Sequence, residues 1–361
     1  MWGLLVCLVA GIGCAQMAEE AAVAPAGVPL NAALTSTVAI DPAVIENIEA
    51  NRTADYLVYF DQRPDLSAAA GMDWTSRGRF VVARLQETAR QSQAAAIAQL
   101  DARGVTYRAF FVDNVIAVRQ SDMATLNALS SLPGIRAIQD PPKVGLIEPV
   151  AKEPADAIGT RAAEANISHV GAPDVWAEGI DGSGIVVANI DTGVRGSHSV
   201  LQSHYRGNQP GWVHGHDYNW WDPYDATTAP MDGNGHGTHT MGTIVGSDGT
   251  APAWASAANT TGMAPGARWM ACRGCNTSSC GSVELLECAE WVIAPWNLAG
   301  TAPNPDLRPH VVNNSWGDCG RAYNNWYQGA VDTWHAAGIY PVFSNGNNSN
   351  CGYAAPPGCN T

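Results

Sequence analysis

Lysine is nearly missing from this chain. Only Lys143 and Lys152 occur in 361 residues, and there is no run of basic residues. With 19 Lys and Arg against 33 Asp and Glu, the formal net charge is −14. Nucleic acid and anionic membrane surfaces need a basic footprint, so both are poor partners on electrostatic grounds. The acidity itself reads as a solvated surface. Long apolar runs are scarce too. The amino-terminal one, Trp2 to Gly13, is too short to cross a bilayer. It fits the apolar region of a secretory signal, with a small-residue cleavage site ending at Ala15, although no positive charge precedes it. Residues 1–15 are therefore read as a signal peptide, and the protein as secreted, extracellular or in the cell envelope. A membrane association is expected only if Cys14 is lipidated. A buried first strand or helix is the structural alternative.

Zinc-type spacing is incomplete. Of nine cysteines, seven lie between 272 and 359, and four cluster in "CRGCNTSSCGSVELLEC" (Cys272, Cys275, Cys280, Cys288). A C-x-x-C pair can hold zinc, but its second half normally repeats the tight spacing or supplies nearby histidines. Neither follows here. In an exported chain disulfides are the better reading. Seven is odd, so one thiol is free or has its partner elsewhere.

Composition changes along the chain. Residues 16–51, rich in alanine with scattered prolines, read as a loosely ordered leader. Residues 52–145 follow the order βαββαβ: "YLVYF", a long helical run from Arg79, "VTYRAFF", "VIAVRQ", a helix opened by "SDMATL", and "IRAIQD". That is a small ferredoxin-like module. Residues 146–165 read as a linker, continuing a proline-rich stretch that begins at Asp140. Residues 166–361 then alternate strands and helices, with "GIVVANI" (184–190) the apolar run of a strand buried on both faces. The fold class expected is α/β, a parallel sheet covered by helices.

In such sheets functional groups gather beyond the carboxyl ends of the strands. Asp191 directly follows "VVANI", Asn347 follows "IYPVFSNG", and His236 opens a helix in "GNGHGTHTMG". A carboxylate, an imidazole and an amide are the supporting parts of acyl transfer: orienter, general base and oxyanion donor. Plainer readings exist. Asp-Thr-Gly is good turn chemistry, and Asn beside Gly often marks a left-handed turn. His236, His239 and Asp191 could ligate zinc in a hydrolase, but no glutamate stands between the histidines as H-E-x-x-H requires.

Together, "IDTGV" (190–194), "GHGTHTMGTIVG" (235–246), "NNSWG" (313–317) and "GNNS" (346–349) resemble the subtilisin-like serine proteases, in order and spacing. The stretch from "GHDYNWWDP" to "NNSWG" looks most like the bacillopeptidase F-type branch. The resemblance implies a subtilisin-like catalytic domain in 166–361, and makes 52–145 an inhibitor-like propeptide that also acts as intramolecular chaperone. It assigns Asp191 as triad carboxylate, His236 as base and Asn347 as oxyanion donor. Ser315, Trp316 and Gly317 would pair with an extended substrate, and Ser344, Asn345 and Gly346 would line the pocket for the residue before the scissile bond. His239 would pack behind the helix. The substrates implied are proteins or peptides, with no cofactor for the chemistry. Structural calcium is common in the family, though no acidic cluster here marks a site. One part is missing: no GTSMA-type nucleophile motif occurs, and neither Ser344 nor Ser349 has its context. The expectation is a piece of a longer secreted serine endopeptidase, inactive by itself. A non-catalytic binding or decoy relative is the alternative.

Overall fold

The computed structural model describes residues 38–147, 164–211, 215–248, 260–277, 279–317 and 325–346. The signal, most of the leader and linker, Cys319, Cys351, Cys359 and Asn347 lie outside these.

The described chain begins with β1 (Ala39–Ile40) and α1 (Pro42–Asn51), inside the stretch expected to be a loose leader. The expectation fails for a local reason. The Asp41 carboxylate accepts the Ala43 N–H at 3.0 Å, and Pro42 occupies the first turn. Val44 and Ile48, one turn apart, are buried. Then come β2 (Ala54–Phe60), α2 (Trp74–Ala102), β3 (Tyr107–Phe110), β4 (Val115–Ser121), α3 (Met123–Ser130) and β5 (Ile135–Gln139), the order read from the sequence. Asp73 and Asp122 cap α2 and α3 through the N–H groups of Ser76 and Thr125. The sheet order is β1-β5-β2-β4-β3, with β2 antiparallel to both neighbours.

After β6 (Gly145–Leu146) the elements are α4 (Ala165–His169), α5 (Ala172–Ala177), β7 (Val186–Asp191), β8 (Trp220–Trp221), α6 (His236–Val245), β9 (Arg268–Arg273), α7 (Ser282–Ile293), β10 (Val311–Asn314), β11 (Trp316–Gly317), α8 (Gln328–Ala337) and β12 (Tyr340–Phe343). The main sheet runs β12-β10-β7-β9-β8, and every pair in it is parallel. Central β7 is buried along its whole length. Its one internal polar side chain, Asn189, donates to Gly237 O and Thr240 Oγ1 and accepts from Asn313 Nδ2 at 2.8 Å, so its burial carries no unpaired group.

Strand β2 explains how the two halves meet. Its alternate residues Tyr56, Val58 and Phe60 join a core with α1, α3 and the end of α2. Leu57 and Tyr59 point the other way, into a core that continues through Trp291 of α7 and Trp334 of α8. The amino-terminal module therefore buries its second face on the helices of the parallel sheet. Arg77 donates to the last carbonyls of α8, His335 and Ala336, both at 2.7 Å, where the helix dipole favours a cation. The clustered cysteines form two disulfides, Cys272–Cys288 and Cys275–Cys280. Among the described residues no helix is long and apolar enough to cross a membrane.

Candidate active site

Asp191 ends β7, fully buried, and its Oδ1 lies 2.7 Å from Nδ1 of His236. The carboxylate also accepts the Thr192 N–H at 2.7 Å and the Thr240 hydroxyl at 3.2 Å. Burial raises its pKa, and the bonds from His236, Thr192 and Thr240 oppose that rise. His236 is aimed by the loop before it. Gly235 takes φ 99°, and Asn234 Oδ1 caps the His236 N–H at 3.0 Å. Asp232 gathers the N–H groups of Gly235 and Thr238 and the hydroxyls of Thr192 and Thr238. Burial works against its charge, but these bonds outweigh it and hold the carboxyl below its usual range. A Cβ on Gly237 would sit 2.0 Å from the Gly193 carbonyl oxygen and 3.0 Å from Asp191 Cβ, so only glycine lets α6 come this close to Asp191. His239 departs from expectation. It is exposed rather than packed behind the helix. Among the described residues no three His, Cys, Asp or Glu side chains converge on a metal position, and both His236 nitrogens already have acceptors.

An extended segment of the same chain lies across this pair. Leu146 and Gly145 pair antiparallel with Trp316 and Gly317, and the Ile147 N–H donates to Ser315 O at 3.3 Å. On the other side the Cys280 N–H donates to Val144 O at 3.0 Å. The Ile147 carbonyl oxygen ends 2.9 Å from His236 Nε2. Facing an acceptor on each side, the ring completes both contacts only with protons on both nitrogens. Ser315, Trp316 and Gly317 thus pair by backbone groups with this segment, and the Trp316 ring is spent elsewhere. It is fully buried and meets Tyr327 and Phe343 edge-on.

Ser344, Asn345 and Gly346 follow β12 at the same carboxyl edge of the sheet as Asp191. The Ser344 N–H donates to Asn314 O at 3.0 Å, Asn345 is exposed, and Gly346 has φ 78°. Asn347 lies outside the described residues. Sequence reasoning had not singled out Asp232, Asn234, Thr192 and Thr240, whose roles come from side-chain bonds between separate loops. The Asp-to-Thr offset in "DGNGHGT" was the local signal for Asp232. A serine–histidine contact away from this pair, Ser247 Oγ to His204 Nε2 at 2.8 Å, is buried, and burial lowers the His204 pKa. That marks a structural imidazole.

Residues 182–360 match the family model described as the subtilase family. The chain is 35% identical over 298 residues to Bacillopeptidase F of Bacillus subtilis (strain 168), covering 78% of this chain and 20% of that protein. It is 31% identical over 194 residues to the minor extracellular protease Vpr of the same organism, covering 51% of this chain and 20% of that protein. The fold is shared with fervidolysin from Fervidobacterium pennivorans, a keratinolytic enzyme related to subtilisin, at TM-score 0.53 and 19% identity, over 83% of this chain and 41% of that one. The chain spans about a fifth of the length of these two curated relatives. Fold, ordered motifs and these likenesses agree: in residues 182–360 the chain belongs to the subtilase family.

Proposed function

We propose that these residues belong to a secreted serine endopeptidase whose amino-terminal module, ending in the 144–147 segment, is its own inhibitor. One observation carries the reading: a peptide carbonyl, that of Ile147, stands 2.9 Å from the imidazole that Asp191 orients, on a segment β-paired as a substrate would be. Asp191 fixes the tautomer of His236 and stabilises the imidazolium. His236 takes the proton of a serine hydroxyl as that oxygen attacks the carbonyl, then returns it to the departing amine. Asn347 donates to the tetrahedral oxyanion, an interaction whose loss costs roughly 10²–10³ in turnover. Ser315, Trp316 and Gly317 hold the acyl-side backbone, and Ser344, Asn345 and Gly346 wall the pocket for the last acyl residue.

No serine in the 361 residues has the nucleophile's context, so in this reading the nucleophile comes from outside them. The chemistry needs no cofactor, and calcium would only stabilise the fold. Substrates are proteins or peptides. The Trp2–Gly13 segment supports export, as does the likeness to a protease named extracellular. The 38–147 module acts as folding partner and inhibitor, and the first bond cut is Ile147–Glu148.

The test is peptide hydrolysis by the full-length gene product, with and without a serine-directed reagent. Turnover that the reagent blocks and that His236→Ala removes is expected. Turnover that survives His236→Ala would overturn the assignment.

A further inference from the structure

On the side of the 144–147 segment opposite β11 stands a hairpin closed by Cys275 and Cys280. Cys275 and Cys280 pair as antiparallel neighbours and are joined by their disulfide, with the Asn276 N–H donating to Ser279 O at 2.9 Å across the turn. The Tyr224 hydroxyl bridges the two ends of this hairpin. It accepts the Gly281 N–H at 2.8 Å and donates to Gly274 O at 3.2 Å. Tyr224 is held in turn: its N–H donates to Asp222 Oδ1 at 3.0 Å, and the Arg273 guanidinium, paired with Asp222 at 3.2 Å, stands 5.3 Å over its ring.

The hairpin is tied to both members of the Asp–His pair. The Cys275 N–H donates to the backbone oxygen of Asp191 at 3.0 Å. Asn234, which caps His236, donates from Nδ2 to Thr277 O at 2.9 Å. Toward the 144–147 segment the hairpin presents the Cys280 N–H, bonded to Val144 O at 3.0 Å. Counting back from Ile147, Val144 is the fourth residue before the proposed scissile bond.

We propose that Tyr224 and the Cys275–Cys280 bond are positioning groups that hold the Cys280 N–H ready for the fourth acyl-side residue of a substrate, so that the cleft discriminates by peptide length. The inference rests on the protease reading. Its physical basis is pre-organisation. Ordering a free loop costs conformational entropy, which a substrate binding a slack hairpin would have to meet. A clasped hairpin has met it on folding. The benefit reaches only peptides long enough to touch Cys280.

The test compares tetrapeptide and dipeptide amide substrates in the full-length protease, as the wild type, Tyr224→Phe, and Cys275→Ser/Cys280→Ser. Both variants should lower kcat/KM several-fold more for the tetrapeptide than for the dipeptide, the difference being about the worth of one hydrogen bond. Tyr224→Phe removes one oxygen and keeps the ring packing, so it separates the clasp from general misfolding. Equal losses on both substrates, or none on either, overturn the proposal. If the wild type hydrolyses neither substrate, the protease reading fails instead. Amide exchange at Cys280 and Gly281 then decides the clasp: protection unchanged in both variants overturns it, and faster exchange in both supports it.

Discussion

The carbonyl oxygen of Ile147 lies 2.9 Å from Nε2 of His236. That contact joins a residue of the amino-terminal half to the base 89 positions later, and the module's grip on α7 and α8 holds it in place.

Processing should therefore start at a defined bond. Amino-terminal sequencing of the mature protein is expected to read Glu148 first. Ile147→Pro, which removes the N–H given to Ser315 O, should slow the cut at least several-fold. A mature terminus upstream of Tyr56 would mean that the module is retained and is no propeptide.

Asp191→Asn should keep the fold and lower turnover by roughly 10⁴, because an amide cannot orient the imidazole in the tautomer the base needs. His236→Ala should cost on the order of 10⁶. Steady-state kinetics on a chromogenic peptide would measure both. A loss under tenfold for Asp191→Asn would deny it the orienting role.

Docking of the module should weaken as pH rises. Glu290 accepts the Phe111 N–H at 2.7 Å inside the interface, and burial pushes its carboxyl up to about 7 despite that bond and nearby Arg108. Burial likewise pushes Asp113 to about 7, against Arg63 and Arg136 and with Asp332 adding to the rise, and pushes Glu287 up against its partner Arg108. Freed carboxyls titrate near 4, so the docked state binds protons more tightly than the separated one. The stabilisation is complete below about pH 4 and is lost as pH climbs through about 7. Size-exclusion of the cleaved complex should show more module released at pH 8 than at pH 5. The reverse order would refute this.

The Cys272–Cys288 bond joins β9 to α7 across a separation of 16 residues. A loop of that length is worth about 3 kcal/mol. Cys272→Ala/Cys288→Ala should lower the thermal midpoint on the order of 10 °C. An unchanged midpoint would show that packing around α7 supplies the rigidity alone.

Strands with a strong local signature were legible beforehand. "GIVVANI" could be little other than a buried parallel strand, and glycines around His236 announced a helix pressed against another element. What stayed hidden depends on distant partners. "KVGLI" has no strand period of its own, because β6 exists only where β11 pairs with it. The α1 helix hid behind an alanine-rich composition, its Asp-Pro cap overlooked. Tyr224 gives no sign in sequence that its hydroxyl spans Gly274 and Gly281, since that bridge needs the 222–227 loop and the hairpin side by side. His239 misled because the motif fixes its position and not its exposure.

Labelling with a serine-directed fluorophosphonate reads nucleophile, base and oxyanion hole in one step. The full-length gene product should be labelled once the module is released. His236→Ala in that product, and the 361-residue chain alone, should stay unlabelled. Stoichiometric labelling of the 361-residue chain would place a nucleophile among these residues, and would contradict the account at its centre.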